Sequence, residues 1–130
     1  MRGIIAVLAA IIIGIALMSR PDSLTEMENA EQTALSLKHL RVSLEQYYQE
    51  YKIYPENLVQ DEKFMEIYGK TDLDGTRSRG DSKENNEVHI TEDFKEVTDD
   101  GGWNYNPKTG EIRANLDFDC FHQKIDWHVM

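Results

Sequence analysis

Between Asp22 and Pro55 the chain carries the longest helical period in its sequence. Met27, Ala30, Ala34, Leu37, Leu40, Leu44, Tyr47 and Tyr51 recur at intervals of three and four, which places them on one stripe of a helix. Glu, Gln, Lys and Arg fill the opposite face. Ser23 and Glu26 have the spacing of a capping box, which predicts a helix start at this point. From Leu24 to Tyr51 such a helix is about 42 Å long at about 1.5 Å per residue, more than a small domain can cover. The spine therefore needs company at one end.

What stands before it is apolar. Gly3 to Met18 is uninterrupted by charge and flanked by Arg2 and Arg20. As a helix it would span about 24 Å, short of the roughly 30 Å hydrocarbon core of a bilayer, with the two arginines able to snorkel. A signal peptide fits poorly, since Leu17-Met18-Ser19 lacks an A-x-A-like cleavage pattern. A buried core helix this apolar would need a larger domain than the remaining residues provide. A single-pass anchor is expected, with Ile4, Ile5, Val7, Leu8, Ile11, Ile12, Ile13, Ile15 and Leu17 supplying membrane contact and helix packing. Pro21 stands at the junction, so anchor and spine form either one bent helix or two abutting ones.

Beyond the spine the period fails at Ile53-Tyr54-Pro55, because the residue before proline is pushed to extended geometry. Glu56 to Tyr68 reads as a short second helix, and Gly69 to Glu87 as a polar, turn-rich loop. From Val88 onward come short strand candidates at Val88–Ile90, Phe94–Val97, Trp103–Asn106 and Glu111–Leu116, with a tight turn at Asn106-Pro-Lys-Thr-Gly110 and an alternating tail from Asp117. The expected fold class is α+β: a long N-terminal helix packed on a small antiparallel sheet. The expected divisions are an anchor over 1–20, a spine over 21–54, a short helix and acidic loop over 55–87, and sheet and tail over 88–130.

Charge narrows the partners. The chain is formally −10, but residues 1–20 hold two of the 14 bases and none of the 24 acids, so the remainder is at −12. That balance argues against nucleic acid and against docking the globular part on anionic lipid. A large acidic portion after a short anchor suggests that this portion is exported. Cys120, alone in the sequence, cannot form an intrachain disulfide.

Two stretches carry a family likeness. Leu44-Glu-Gln-Tyr-Tyr-Gln-Glu-Tyr-Lys-Ile-Tyr-Pro-Glu-Asn-Leu58 looks like the end of a long pilin helix and its exit, and Gly101-Gly-Trp-Asn-Tyr-Asn-Pro-Lys-Thr-Gly-Glu-Ile-Arg-Ala-Asn115 looks like the hairpin that closes pseudopilin sheets. In the order of its parts the chain resembles the type IV pilin superfamily, most closely the major pseudopilin of type II secretion and related pilin-like proteins. The resemblance implies a subunit of a pilus-like or pseudopilus assembly. It would be held in the inner membrane by one span, with its C-terminal domain extracytoplasmic, and would associate with like subunits, homo- or hetero-oligomerically, through the N-terminal helix. The N-terminus departs from the pattern: Ile4 follows Gly3 where pilins place phenylalanine after the leader glycine, and Ile5 to Leu8 holds no acid where pilins carry a first-turn glutamate. A membrane-tethered binding module with a pilin-like fold that does not polymerise is the rival expectation.

Candidate chemistry is sparse. Asp72, Asp74 and Asp81 make a loop rich in hard oxygen donors, and the resemblance raises calcium, which major pseudopilins bind in a loop near the sheet; the competing reading is a solvated acidic loop. Cys120, His122 and His128 with Asp117 and Asp119 lack the paired spacing of a zinc motif, and the cysteine reads as a small buried apolar group. Arg79-Gly80-Asp81 is read as three ordinary turn residues. Tyr47, Tyr48, Tyr51 and Tyr54 are expected to pack the spine onto the sheet. No nucleophile, base and orienting group stand together, so the expectation is a protein that is not an enzyme.

Overall fold

The computed structural model describes residues 21–78, 84–95 and 97–130, the first four of them by their backbone. Its architecture is α+β. A long helix, α1 (Pro21–Tyr51), is followed by a short one, α2 (Glu62–Tyr68), then by the strands β1 (Thr76–Arg77), β2 (Glu84–Asn85), β3 (Val88–Ile90), β4 (Trp103–Asn106) and β5 (Glu111–Ala114).

At about 1.5 Å per residue the 31 residues of α1 extend roughly 46 Å. The predicted stripe is the packed face: Ala30, Leu37, Leu40, Leu44 and Tyr47 are buried, and Met27, Ala34 and Tyr51 pack against the core. The buried face is wider than the apolar period, because Asn29, Thr33, Ser36 and Ser43 are buried as well. Near its N-terminal end, therefore, α1 is held by polar contacts. Asn29 Nδ2 donates to the Ser78 carbonyl at 3.2 Å, and Thr33 Oγ1 accepts the Arg77 amide at 2.9 Å. The helix does not start at Ser23 as predicted. Pro21 is already helical, and Glu26 Oε2 meets His122 Nδ1 at 2.7 Å, 96 residues away in sequence.

The second helix is shorter than predicted. Asn57 Oδ1 accepts the amides of Val59 and Gln60 and holds that segment in a turn, and Asp61 then caps α2 by accepting from the Phe64 amide at 3.0 Å. An Asx turn competes well with helix at such a position. Gly69, at φ +82°, closes α2 as a left-handed cap whose N–H reaches the Met65 carbonyl at 2.9 Å.

The sheet differs from expectation in topology. β4 and β5 form the predicted antiparallel hairpin, Trp103 opposite Ala114 and Asn106 opposite Glu111, but β3 runs parallel to β4, so the three-stranded sheet is mixed. β1 and β2 form a separate antiparallel pair inside the stretch expected to be loop. Phe94, Lys95 and Val97, expected in a strand, lie outside one. Thr91 Oγ1 accepts the Asp93 amide and Asp93 Oδ1 accepts the Lys95 amide, turning the chain at Phe94 and Lys95. The last strand ends at Ala114, short of the predicted Leu116.

The tail forms no extended strand. An isolated bridge pairs Phe118 with Asp126, and Asp119, His122 and Lys124 each take positive φ, so the segment coils into turns. It lies along α1 from His122 beside Glu26 to Met130, whose carbonyl accepts from Arg41 Nη2 at 2.9 Å. Phe121, Ile125 and Trp127 are buried from this strap and complete the core built by Leu37, Leu40, Phe64, Trp103, Tyr105 and Ile112. Phe121 and Trp127 meet edge to face with centroids 5.6 Å apart. Cys120 is buried, as expected of a small apolar group.

Candidate functional site

Asp74 is the most heavily bonded carboxylate among the described residues. It follows the buried Leu73 and precedes the buried Gly75, so its backbone lies against the core. Its Oδ1 accepts from Lys70 Nζ at 2.8 Å. Its Oδ2 accepts from Tyr68 Oη at 2.5 Å and from Lys70 Nζ at 3.0 Å, and lies 3.3 Å from His39 Nδ1. Its carbonyl accepts from Trp103 Nε1 at 2.9 Å. His39 completes the cluster by stacking on the Tyr68 ring, centroids 3.9 Å apart, with Nε2 at 2.9 Å from the Tyr68 carbonyl. Burial alone would push the Asp74 carboxyl up. The bonds from Lys70, Tyr68 and His39 outweigh it and hold the carboxyl below the usual carboxylate range. Burial and the bond to Asp74 push the Tyr68 phenol up.

This arrangement ties α1 and α2 to the Asp74 carboxylate and β4 to the Asp74 carbonyl, and both carboxylate oxygens are taken by protein donors. Of the other candidate calcium ligands, Asp72 is exposed and Asp81 lies outside the described residues. Among the described residues no three His, Cys, Asp or Glu side chains gather closely enough to hold a metal ion. The candidate transition-metal set is spread along the strap. His122 pairs with Glu26, the His128 carbonyl accepts from Arg113 Nη1 at 3.4 Å, and Asp119 Oδ1 accepts the Lys124 amide.

The tyrosine cluster divides in two. Tyr47 and Tyr51, centroids 4.7 Å apart, turn toward α2, where Tyr47 Oη donates to Asp61 at 2.9 Å. Burial, then that bond, pushes the Tyr47 phenol up to about 12. Tyr48 and Tyr54 stack at 4.8 Å and turn toward the β4–β5 connection. There Gly110, at φ +75°, lies so close to the Tyr54 ring that a Cβ would enter it. The expected packing of the tyrosines onto the sheet therefore holds for Tyr54, which meets the hairpin turn, whereas Tyr47 and Tyr51 pack against the second helix instead and Tyr48 is exposed. Tyr105 Oη, buried, donates to the Pro55 carbonyl at 2.6 Å and fixes the helix exit.

A concave surface lies around Tyr54. On one side it is walled by Tyr48, Ile53, Pro107 and Lys108. On the other it is lined by Arg41, Glu111 and Arg113. Arg41 Nη2 donates to the carbonyls of Ile112 and Met130, each at 2.9 Å, and so closes the outer edge of β5. Burial, then repulsion from Arg113, draws its pKa down. Arg113 in turn lies over the Phe94 ring at 4.6 Å and pairs with Glu111. The groove holds charges of both signs, with Arg41 and Arg113 beside Glu45 and Glu111.

Sequence reasoning passed over His39, Arg41 and Trp103 as positioning residues. Trp103 lay in a quoted motif, and its indole N–H in a predicted core was a signal that a buried acceptor must exist. His39 and Arg41, flanking Leu40 on the helix, carried no comparable signal. The anchor residues Ile4, Ile5, Val7, Leu8, Ile11, Ile12, Ile13, Ile15 and Leu17, and the tripeptide from Arg79, lie outside the described residues. Among the described residues no helix is long and apolar enough to cross a membrane. Compared with protein-family models, with curated proteins and with solved structures, the chain matches none of them.

Proposed function

We propose that this chain is a structural or accessory subunit of a pilus-like or type II secretion-like assembly, anchored in the inner membrane with its α+β portion outside the cytoplasm. The observation that carries this reading is the placement of α1: it is helical from Pro21, three residues after the apolar run Gly3–Met18 ends, and the folded portion packs along it from Glu26 onward. A rod that is apolar at one end and covered at the other suits lateral packing with equivalent rods, because lipid-facing side chains can exchange lipid for a neighbour at little cost. The residues Ile4 to Leu17 would carry anchoring and packing, and α1 the spacing between membrane and sheet. In this role the protein transfers no groups and needs no catalytic centre.

A second reading, a tethered binding module that does not polymerise, is favoured by one sequence fact. Gly3–Met18 holds no carboxylate, so this run offers nothing to neutralise a neighbour's buried amine of the kind pilin filaments use. Cysteines placed singly at Ile5, Ile12 and Leu17 of the membrane-embedded protein distinguish the two. A ladder of oxidised multimers at one or more positions supports the subunit reading; monomer at all three supports the tether. Release of the chain from membranes by alkaline carbonate overturns both.

A further inference from the structure

The two edges of the three-stranded sheet are treated differently. The outer edge of β5 is closed by Arg41 and the strap, whereas nothing among the described residues covers β3. The Trp103 amide donates to the Glu87 carbonyl at 2.7 Å and the Thr91 amide to the Tyr105 carbonyl at 2.9 Å, which directs the backbones of Glu87, His89 and Thr91 toward β4. Alternation along a strand then leaves the N–H and C=O groups of Val88 and Ile90 pointing outward. Sheet edges are commonly guarded by proline, by lysine within the strand or by a bulge. Val88-His89-Ile90 has none of these and is guarded only by its three-residue length, and the Ile90 side chain is 56% exposed.

Charge selects what can add to this edge. Exposed Glu87 stands before the strand, 4.0 Å from His89, and exposed Glu92 and Asp93 stand just after it. Glu92 is paired with Lys108 in a solvent-exposed ion pair that an incoming cation would have to share, and Asp93 is the second carboxylate of that flank. A second copy pairing antiparallel about His89 would set Glu87 of each chain beside Glu92 and Asp93 of the other, in a protein whose residues 21–130 are already at −12. A strand with Lys or Arg at both ends would meet opposite charge at both.

The geometry points to β3 as a docking edge for an extended, basic segment of a different chain, added antiparallel to Val88–Ile90 with an apolar residue against Ile90 and a cation near each acidic flank. Main-chain bonds would supply the pairing and the flanking carboxylates the selectivity. The inference stands apart from the filament reading, since a tether with this fold would present the same edge.

The test uses the full-length protein in detergent micelles and a labelled twelve-residue peptide of alternating valine and threonine with two lysines at each end. Its control carries glutamates in place of the lysines. Expected are slowing of Val88 and Ile90 amide exchange by about tenfold or more on adding the lysine peptide, and at least tenfold weaker binding of the glutamate peptide. Ile90→Pro removes an outward N–H and no ladder bond, so it should abolish binding while the melting temperature is kept. Glu87→Lys/Glu92→Lys, which spares the strand itself, should reverse the preference between the two peptides and keeps the test decisive if the proline variant misfolds. Equal binding of both peptides, no protection of Val88 and Ile90, or a dimer of the free protein that Ile90→Pro dissolves would overturn it.

Discussion

Tyr68 and Asp74 bond each other twice: the phenol donates to Asp74 Oδ2 at 2.5 Å, and the Asp74 amide donates back to the phenol oxygen at 2.9 Å. This closed ring sits at the C-terminal end of α2, with His39 of α1 stacked on one side and Trp103 of β4 bonded to the Asp74 carbonyl. One side-chain pair therefore sets the relative position of both helices and the sheet.

Tyr68→Phe removes both bonds and leaves the Asp74 amide without its partner. A loss of about 2–3 kcal/mol is expected from a charge-assisted bond and an orphaned donor. Asp74→Asn should cost about the same, and the double variant little more than either single one, because the two residues act as a unit. Urea midpoints of the four proteins measure this; simple additivity would show that the ring carries no coupling.

Stability should decline at both ends of the pH scale. The Asp74 carboxyl is held below its unfolded value, so its contribution is full above about pH 4 and is lost as pH falls through the folded value. The phenols of Tyr68 and Tyr105 are raised, so theirs is full below about pH 10 and is lost as pH climbs through the folded values. Thermal melts from pH 2 to 11 should show both limbs, with Asp74→Asn flattening only the acid one.

At Gly110 a side chain would have to enter the Tyr54 ring and adopt φ +75°. Gly110→Ala should cost about 2–3 kcal/mol, of which roughly 1 kcal/mol is the backbone term. Adding Tyr54→Ala should recover the steric part and leave the backbone part. A double variant no more stable than Gly110→Ala alone would place the cost elsewhere.

Tyr105→Phe deletes the buried bond to the Pro55 carbonyl and nothing else in the core. The expected loss is about 1–2 kcal/mol, with faster hydrogen exchange concentrated in the helix exit near Pro55. Uniformly faster exchange would mean that the bond supports the whole core instead of the exit.

The spine and the hairpin were legible because each is specified locally. A sustained 3.6 period and a Pro-x-x-Gly turn need no distant partner to be recognised, and the buried positions of α1 followed directly. What was not legible depends on long-range contacts. Nothing near Val88 says that its strand will pair parallel to β4, since the register is fixed by bonds to Trp103 and Tyr105 across a turn at Phe94. Nothing in Ser23-Leu-Thr-Glu26 reveals that the glutamate will answer His122. The second helix was overrun because helical period continued through Asn57, whose side chain stops it, although Asp61 offered a capping signal in plain sight. For the loop aspartates, residue type suggested a cation, while the neighbours that claim Asp74, His39 and Tyr68, come from two different helices.

The strap has a consequence for the order of events during synthesis. The helix that leaves the ribosome early stays half-bare until Phe121, Ile125 and Trp127 arrive, and contacts such as Glu26 with His122 and Arg41 with Met130 close loops of about ninety residues. Closures of that length are slow, because the entropy of bringing distant segments together is lost before any contact returns it. In the proposed role, the apolar N-terminal run would have time to reach a bilayer while the residues that finish the domain are still being translated.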